Sequence, residues 1–216
     1  MRKMNKSYQK KIRIYYKENI QINNIVKLSS IDKHYLKNVM RCKVGSHIYL
    51  YNENNGQFEA RILEYLKENV MIKILLFNDF YEEETDLFLI FSPVKKNRNE
   101  FIIQKATELG VSEIYPVITN RNLVKTLNYD RLCLIAKEAS EQSERLTIPK
   151  IHKLQKLEKL IDNWINDRII IYADETIKSE NYTVINKFPK NSKGAVLIGP
   201  EGGFSEKEIN FLKSMQ

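Results

Sequence analysis

The stretch from Val196 to Glu208, VLIGPEGGFSEKE, gathers three of the chain's seven glycines between Gly199 and Gly203, after an apolar run and before a charged one. Glycines so placed let backbone N–H and C=O groups approach a ligand closely, and Pro200 fixes one φ inside the loop. Three familiar chemistries do not fit it. A nucleoside-triphosphate loop needs a lysine followed by Ser or Thr to reach phosphates and hold magnesium, and GPEGGFS has neither. A dinucleotide fingerprint needs G-x-G-x-x-G after the first strand of a βαβ unit, and an acyl-transfer nucleophile needs G-x-S-x-G. What remains is a loop suited to a neutral or cationic nucleoside-like ligand read by its edges, or a tight structural turn; spacing alone leaves both open. Metal chemistry finds no support, because Cys42 and Cys133 stand far apart and His34, His47 and His152 are scattered.

The elements that must hold this loop follow from hydrophobic periodicity. Ser205 and Glu208 make an S-x-x-E capping box, so a helix starts there. AVLIG before it reads as a strand, and a strand–loop–helix unit of this kind presents ligands at the carboxyl end of the strand. LFLIFSPV (87–94), IYPVI (114–118) and RIIIYAD (168–174) are also apolar on both faces, as strands covered by helices on each side would be. NEFIIQKATELGV predicts a helix with Ile102, Ala106 and Leu109 inward and Gly110 at its C-cap. DRLCLIAKEASEQSER predicts another, capped by Asp130, with Leu132, Ile135, Ala136 and Ala139 inward. Residues 81–216 therefore read as an α/β domain with a mostly parallel sheet.

Residues 1–80 have a different grammar. IRIYY, HIYLYN, QFEARILEY and NVMIKILLF are short strands, and Asn55-Gly56 signals a hairpin between the second and third. DKHYLKNVMR predicts one helix, with Asp32 as N-cap and Leu36, Val39 and Met40 on one face. A small, mostly antiparallel β domain is expected, ending in the acidic segment NDFYEEETD (78–86).

Composition narrows the partners. The chain has 216 residues, 43% hydrophobic and 29% charged, which suits a globular protein of one large or two modest domains. It has no apolar run of membrane-spanning length and no signal-peptide core, so a cytoplasmic location without membrane attachment is expected. The net charge is +8, and residues 1–27 carry eight Lys or Arg against the single acid Glu18. That asymmetry suits a polyanion such as RNA, and equally a lysine-rich proteome.

Four stretches together resemble one family. Lys105-Ala-Thr-Glu-Leu-Gly110 in IIQKATELGVSEIYPV, Glu138 to Arg145 (EASEQSER) followed by Pro149, LIGPEGGFSEKE, and DKHYLKNVMRCKVGSHIYLYNENNGQFEARI are similar, in order and separation, to the bacterial 16S rRNA uracil-N3 methyltransferases of the RsmE type. These belong to the SPOUT superfamily of knotted methyltransferases. The resemblance implies an N-terminal PUA-like β-barrel over 1–80 and a SPOUT-type α/β domain with a trefoil knot over 81–216. It also implies S-adenosylmethionine as methyl donor, 16S rRNA in the small ribosomal subunit as substrate, a homodimer and no metal. By matching position, Ile198, Gly199, Pro200, Glu201, Gly202 and Gly203 would line the cofactor site, with Ala173, Asp174 and Glu175 as a second wall. Glu201 and Glu141 are the candidate general bases. Arg121 and Arg145 would grip RNA or the dimer partner, and Arg13, His34 and Arg41 of the β domain are further RNA-contact candidates.

The resemblance also sets up an alternative. Family members continue beyond the helix begun at Ser205 with a strand, an arginine-rich loop and a final helix that ties the knot and covers the cofactor, whereas this sequence stops at KSMQ. A chain truncated there is expected to bind the methyl donor weakly, and would then be an inactive remnant that still binds RNA.

Overall fold

The computed structural model describes residues 11–79, 86–95, 98–164, 168–173 and 193–214. Chain contacts divide it into two compact units. One comprises Met1–Glu82 with Glu141–Thr147, and the other Glu83–Ser140 with Ile148–Gln216.

The first unit is built on a five-stranded sheet from β1 (Arg13–Tyr15), β2 (Ile25–Leu28), β3 (His47–Asn52), β4 (Gly56–Tyr65) and β5 (Val70–Asp79), in the order β1-β3-β4-β5-β2. All neighbours are antiparallel except β1 and β3. Alternation decides which face is buried: Ile48 and Leu50, Phe58, Ala60 and Ile62, and Val70, Ile72 and Ile74 all enter one core with Leu36. Strand β2 adds to the four expected. The hairpin lies where Asn55-Gly56 marks it, but its loop is Glu53 to Asn55: Asn52 Oδ1 accepts from the Asn54 and Asn55 N–H groups, and only Gly56 takes a positive φ, +82°.

The helix of this unit corrects a cap. α1 (Ser30–His34) begins one turn earlier than expected, because Ser29 rather than Asp32 accepts from a backbone N–H, that of Asp32 itself. It continues as a π-turn, Tyr35–Val39. Leu36 is fully buried, whereas Val39, expected on the same face, is exposed; the wider π-turn rotates it away.

Arg13 is the least expected member of this core. It is 2% exposed, stacks 3.9 Å over the Tyr51 ring, and donates to Gln57 Oε1 and to the carbonyls of Glu141 and Arg145. Glu141 Oε1 accepts in turn from the Tyr15 N–H. These bonds fasten residues 141–147 to β1.

The second unit is a parallel sheet of β10 (Ile169–Tyr172), β11 (Gly194–Ile198), β6 (Leu87–Phe91), β7 (Glu113–Ile118) and β8 (Lys150–Ile151) in that order, with β9 (Gln155–Lys156) also on β7. Helices cover both faces. Ile103 and Ala106 of α2 (Arg98–Glu108) and Leu132 and Ala136 of α3 (Tyr129–Gln142) meet Leu89, Phe91 and Ile114. Leu160 of α4 (Leu157–Asp162) and Leu212 of α5 (Glu206–Lys213) meet Phe88, Ile90, Val117 and Leu197 on the other face. Leu109, expected inward, is 78% exposed: α2 ends at Glu108, and Gly110 at φ +92° turns the chain away. Asn128 rather than Asp130 caps α3, accepting from the Arg131 N–H. At the amino end of the sheet the buried Arg168 lies over Phe88 and binds Asp86 and the Gly194 carbonyl, tying β6, β10 and β11 together. Among the described residues no helix is long and apolar enough to cross a membrane.

The Arg13 geometry generates a stability prediction. Arg13→Ala removes a buried side chain with its bonds to Gln57 and to the Glu141 and Arg145 carbonyls, and urea unfolding should show a loss of about 2–4 kcal/mol in the first unit. An unchanged midpoint would show that these bonds contribute nothing.

Candidate functional site

The carboxyl ends of β6, β7, β10 and β11 converge on one edge of the second unit, where open α/β sheets bind ligands. Register brings them together: Ile198 pairs with Phe91, Phe91 with Pro116, and Tyr172 with Leu197. The Ala173 N–H extends the last ladder by donating to the Leu197 carbonyl, so Ala173 borders the start of the glycine loop. Asp174 and Glu175 lie outside the described residues. Ser92, just past β6, couples three strand ends: its N–H donates to the Ile198 carbonyl, and its hydroxyl lies 2.9 Å from Thr119 Oγ1 and 3.3 Å from the Val117 carbonyl.

The glycine loop has a defined shape. The Gly203 N–H donates to the Pro200 carbonyl at 2.9 Å, closing a turn in which Gly203 takes φ +67°, a conformation that a side chain resists. Gly199 is favoured for a different reason. A Cβ there would lie 3.0 Å from the buried Phe204 ring, which itself packs edge-on against Tyr172. Pro200 and Phe204 are buried while Ile198, Glu201 and Gly202 are exposed, so the loop is anchored at its shoulders and open at its tip.

Glu208 ties this loop to the one after β7. The expected capping box is present, with Ser205 Oγ accepting from the Glu208 N–H and Glu208 Oε2 accepting from the Ser205 N–H. The carboxylate is only 2% exposed, and its other oxygen accepts from the Asn120 N–H at 2.8 Å. Asn120 Nδ2 donates to Ser205 Oγ, and Arg121 Nη1 donates to the Gly202 carbonyl at 2.9 Å. Sequence reasoning reads Glu208 as a local cap only; its long-range bond has no local signal beyond the polar run TNRN after a strand.

The remaining expected residues divide between the units. Glu201 is at the loop tip, 3.5 Å from Arg98 at the start of α2 in an exposed pair that contributes little stability. Glu141 and Arg13 belong to the first unit, where both are buried in the bonds already described, so their polar groups face protein rather than solvent. Arg145 is half-buried, its Nη2 donating to Thr147 Oγ1. His34, beside Asn38, and Arg41 are exposed; Arg41 takes φ +54° just beyond the π-turn.

On β7, Glu113 accepts from Tyr115 and pairs with His152, just after β8, whose ring stacks on Tyr115 at 3.9 Å. Burial pushes the Tyr115 phenol well up, reinforced by its bond to Glu113. Burial also raises the Glu113 carboxyl, but the Tyr115 and His152 bonds outweigh it and leave the group below its ordinary value.

Comparison with known proteins bears on this geometry. A family model described as an RNA methyltransferase domain matches residues 81–216, and one described as an RNA methyltransferase PUA domain matches 32–75. These define an α/β RNA methyltransferase with an appended β domain. A Rickettsia conorii protein named ribosomal RNA small subunit methyltransferase E is 33% identical over 204 residues, covering 94% of this chain and 83% of that protein. Among solved structures, a Neisseria gonorrhoeae ribosomal RNA small subunit methyltransferase E bound to S-adenosyl methionine superposes with a TM-score of 0.81 at 25% identity, covering 94% of this chain and 86% of that one. A Legionella pneumophila methyltransferase in complex with the same cofactor gives 0.80 at 27% identity with the same coverage. The chain belongs to the ribosomal RNA small subunit methyltransferase E family.

The Glu208 network yields a prediction. Glu208→Ala removes the acceptor of two backbone N–H groups, and thermal or urea unfolding should show a loss of about 1–3 kcal/mol. Wild-type stability in that variant would mean that solvent replaces the carboxylate without cost.

Proposed function

We propose that this chain methylates N3 of a uracil in 16S rRNA of the small ribosomal subunit, using S-adenosylmethionine, and does so as a homodimer in the cytoplasm. The observation that carries the reading is the Gly199–Gly203 loop, held by Glu208 and Arg121 at the carboxyl ends of parallel strands in a chain whose relatives are solved with that cofactor.

The loop's residues fit the group. The exposed tip offers backbone N–H and C=O groups, Ile198 offers an apolar surface, and Glu201 supplies a carboxylate suited to a cationic ligand. Between Gly199 and Glu206 there is no lysine to engage a polyphosphate. Ala173, whose N–H bonds the Leu197 carbonyl, would contribute to a second wall. When bound, the cofactor supplies a methyl group already activated on a sulfonium.

The residues' work is then mainly positional. The Glu208 and Arg121 bonds hold the loop in one shape, so that orientation is established before the reaction, the condition under which proximity contributes most. Uracil N3 would exchange its proton for the methyl group, whose bond to the sulfonium sulfur would break and leave a neutral thioether as leaving group. A carboxylate within reach could accept that proton, an effect of about 10²–10⁴. Glu201 is assigned that role, since Glu141 is bound to the Tyr15 N–H within the first unit. RNA capture is assigned to exposed His34 and Arg41 of the β unit and to Arg121 and Arg145, the arginines supplying affinity through phosphates.

The test is methyl transfer to purified small ribosomal subunits lacking this modification, followed by nucleoside mass spectrometry. The expected product is 3-methyluridine in 16S rRNA, reduced about 10²-fold or more in Glu201→Gln. Methylation at another position would overturn the uracil-N3 assignment, and RNA binding with no methyl transfer would favour a binding protein over an enzyme.

A further inference from the structure

Away from the glycine loop, the second unit contains a cavity of about 380 Å³ over the carboxyl half of β7, a volume that suits a small ligand. Its walls are apolar: Pro116 and Ile118 from β7, Leu132 from α3, and Leu127 and Leu154. Its polar lining holds Lys125, Lys153, Thr126, His152 and Tyr129, and no carboxylate is among the described residues that line it. Lys153 Nζ sits 3.4 Å over the Tyr129 ring. His152 is held from behind by Glu113 and by stacking on Tyr115. Lys125 and Lys153 are exposed residues of the lining, so their charge stands at the cavity's open side.

Further cations extend this charge along the edge of the sheet. Lys150 of β8 lies beside Glu113 and Lys156 of β9 beside Ile118, and both are exposed. That separation is five strand residues, roughly 17 Å at about 3.3 Å per residue. An apolar slot with an aromatic wall, two ammonium groups and a row of lysines leading from it complements a flat base joined to a phosphate backbone.

We infer that this cavity is a subsite for single-stranded RNA, taking one base between Tyr129 and the Ile118–Leu132 wall with its phosphates against Lys125 and Lys153. It is separate from the glycine loop, none of whose residues line it. The inference rests on the methyltransferase reading only in choosing an RNA strand over a free nucleotide.

The experiment is fluorescence anisotropy of labelled hexauridylate with the full chain at several salt concentrations. The Lys125→Gln/Lys153→Gln double variant should bind at least about tenfold more weakly and lower the salt slope by about 1.4, two contacts at about 0.7 each. Leu154→Trp, which fills the slot, should weaken binding without changing the slope, while Lys213→Glu on α5 should bind as wild type. Uridine monophosphate should displace the probe far better than inorganic phosphate. Wild-type affinity in the double variant would overturn the inference, as would equal displacement by inorganic phosphate, which would mark a bare anion site. Should Leu154→Trp fail to fold, the exposed lysine variants decide. RNA binding that depends on the cavity, in a chain that transfers no methyl group, would count against the methyltransferase reading and leave this subsite standing.

Discussion

The buried carboxylate of Glu208 is the contact on which the site's geometry depends. One oxygen closes the cap of α5 by accepting from Ser205, and the other reaches 88 residues back to the Asn120 N–H. A single side chain thus fixes where the glycine loop ends, where α5 begins and where the loop after β7 lies. Arg121 then adds its bond to the Gly202 carbonyl from the loop that Glu208 has placed. Buried hydrogen bonds to a charged acceptor are among the stronger ones in a protein, and leaving their donors unpaired is costly. The arrangement gives a glycine-rich segment one conformation, which a site acting by orientation requires.

The sheet supplies what Glu208 cannot. Parallel pairing brings the ends of β6, β7, β10 and β11 to one edge, and Ser92 bonds across three of them, so the loops leave from a rigid platform. Arg168 secures the opposite edge. The slot over β7 uses the same platform from the side of α3, with β8 and β9 placing lysines along it.

Much of this was legible in the sequence where the cause is local. The S-x-x-E box, the Gly110 turn and the apolar strands follow from short-range rules, and the structure has them, except that β10, last in the strand order, leaves Ile169 exposed rather than covered on both faces. Sequence and structure part where two local signals compete. Asp32 and Asp130 are plausible caps, yet Ser29 and Asn128 lie closer to where the chain first turns helical and take the backbone N–H groups. Leu109 fits the helical period of α2 but falls just beyond the helix end. Arg13 reads as a surface cation among basic neighbours; its partners Gln57, Glu141 and Arg145 are 44 to 132 residues away, and nothing near it in sequence announces them. The Glu208–Asn120 bond was illegible for the same reason. Long-range polar contacts leave no periodic trace.

Binding of the methyl donor at the Glu208-held glycine loop can be read directly because the chain has only seven glycines. With ¹⁵N-glycine labelling, amide spectra recorded as S-adenosylmethionine is added should show Gly199, Gly202 and Gly203 shifting together, while Gly45 and Gly56 of the first unit stay in place. Saturating cofactor that leaves all three loop resonances unmoved would contradict the account.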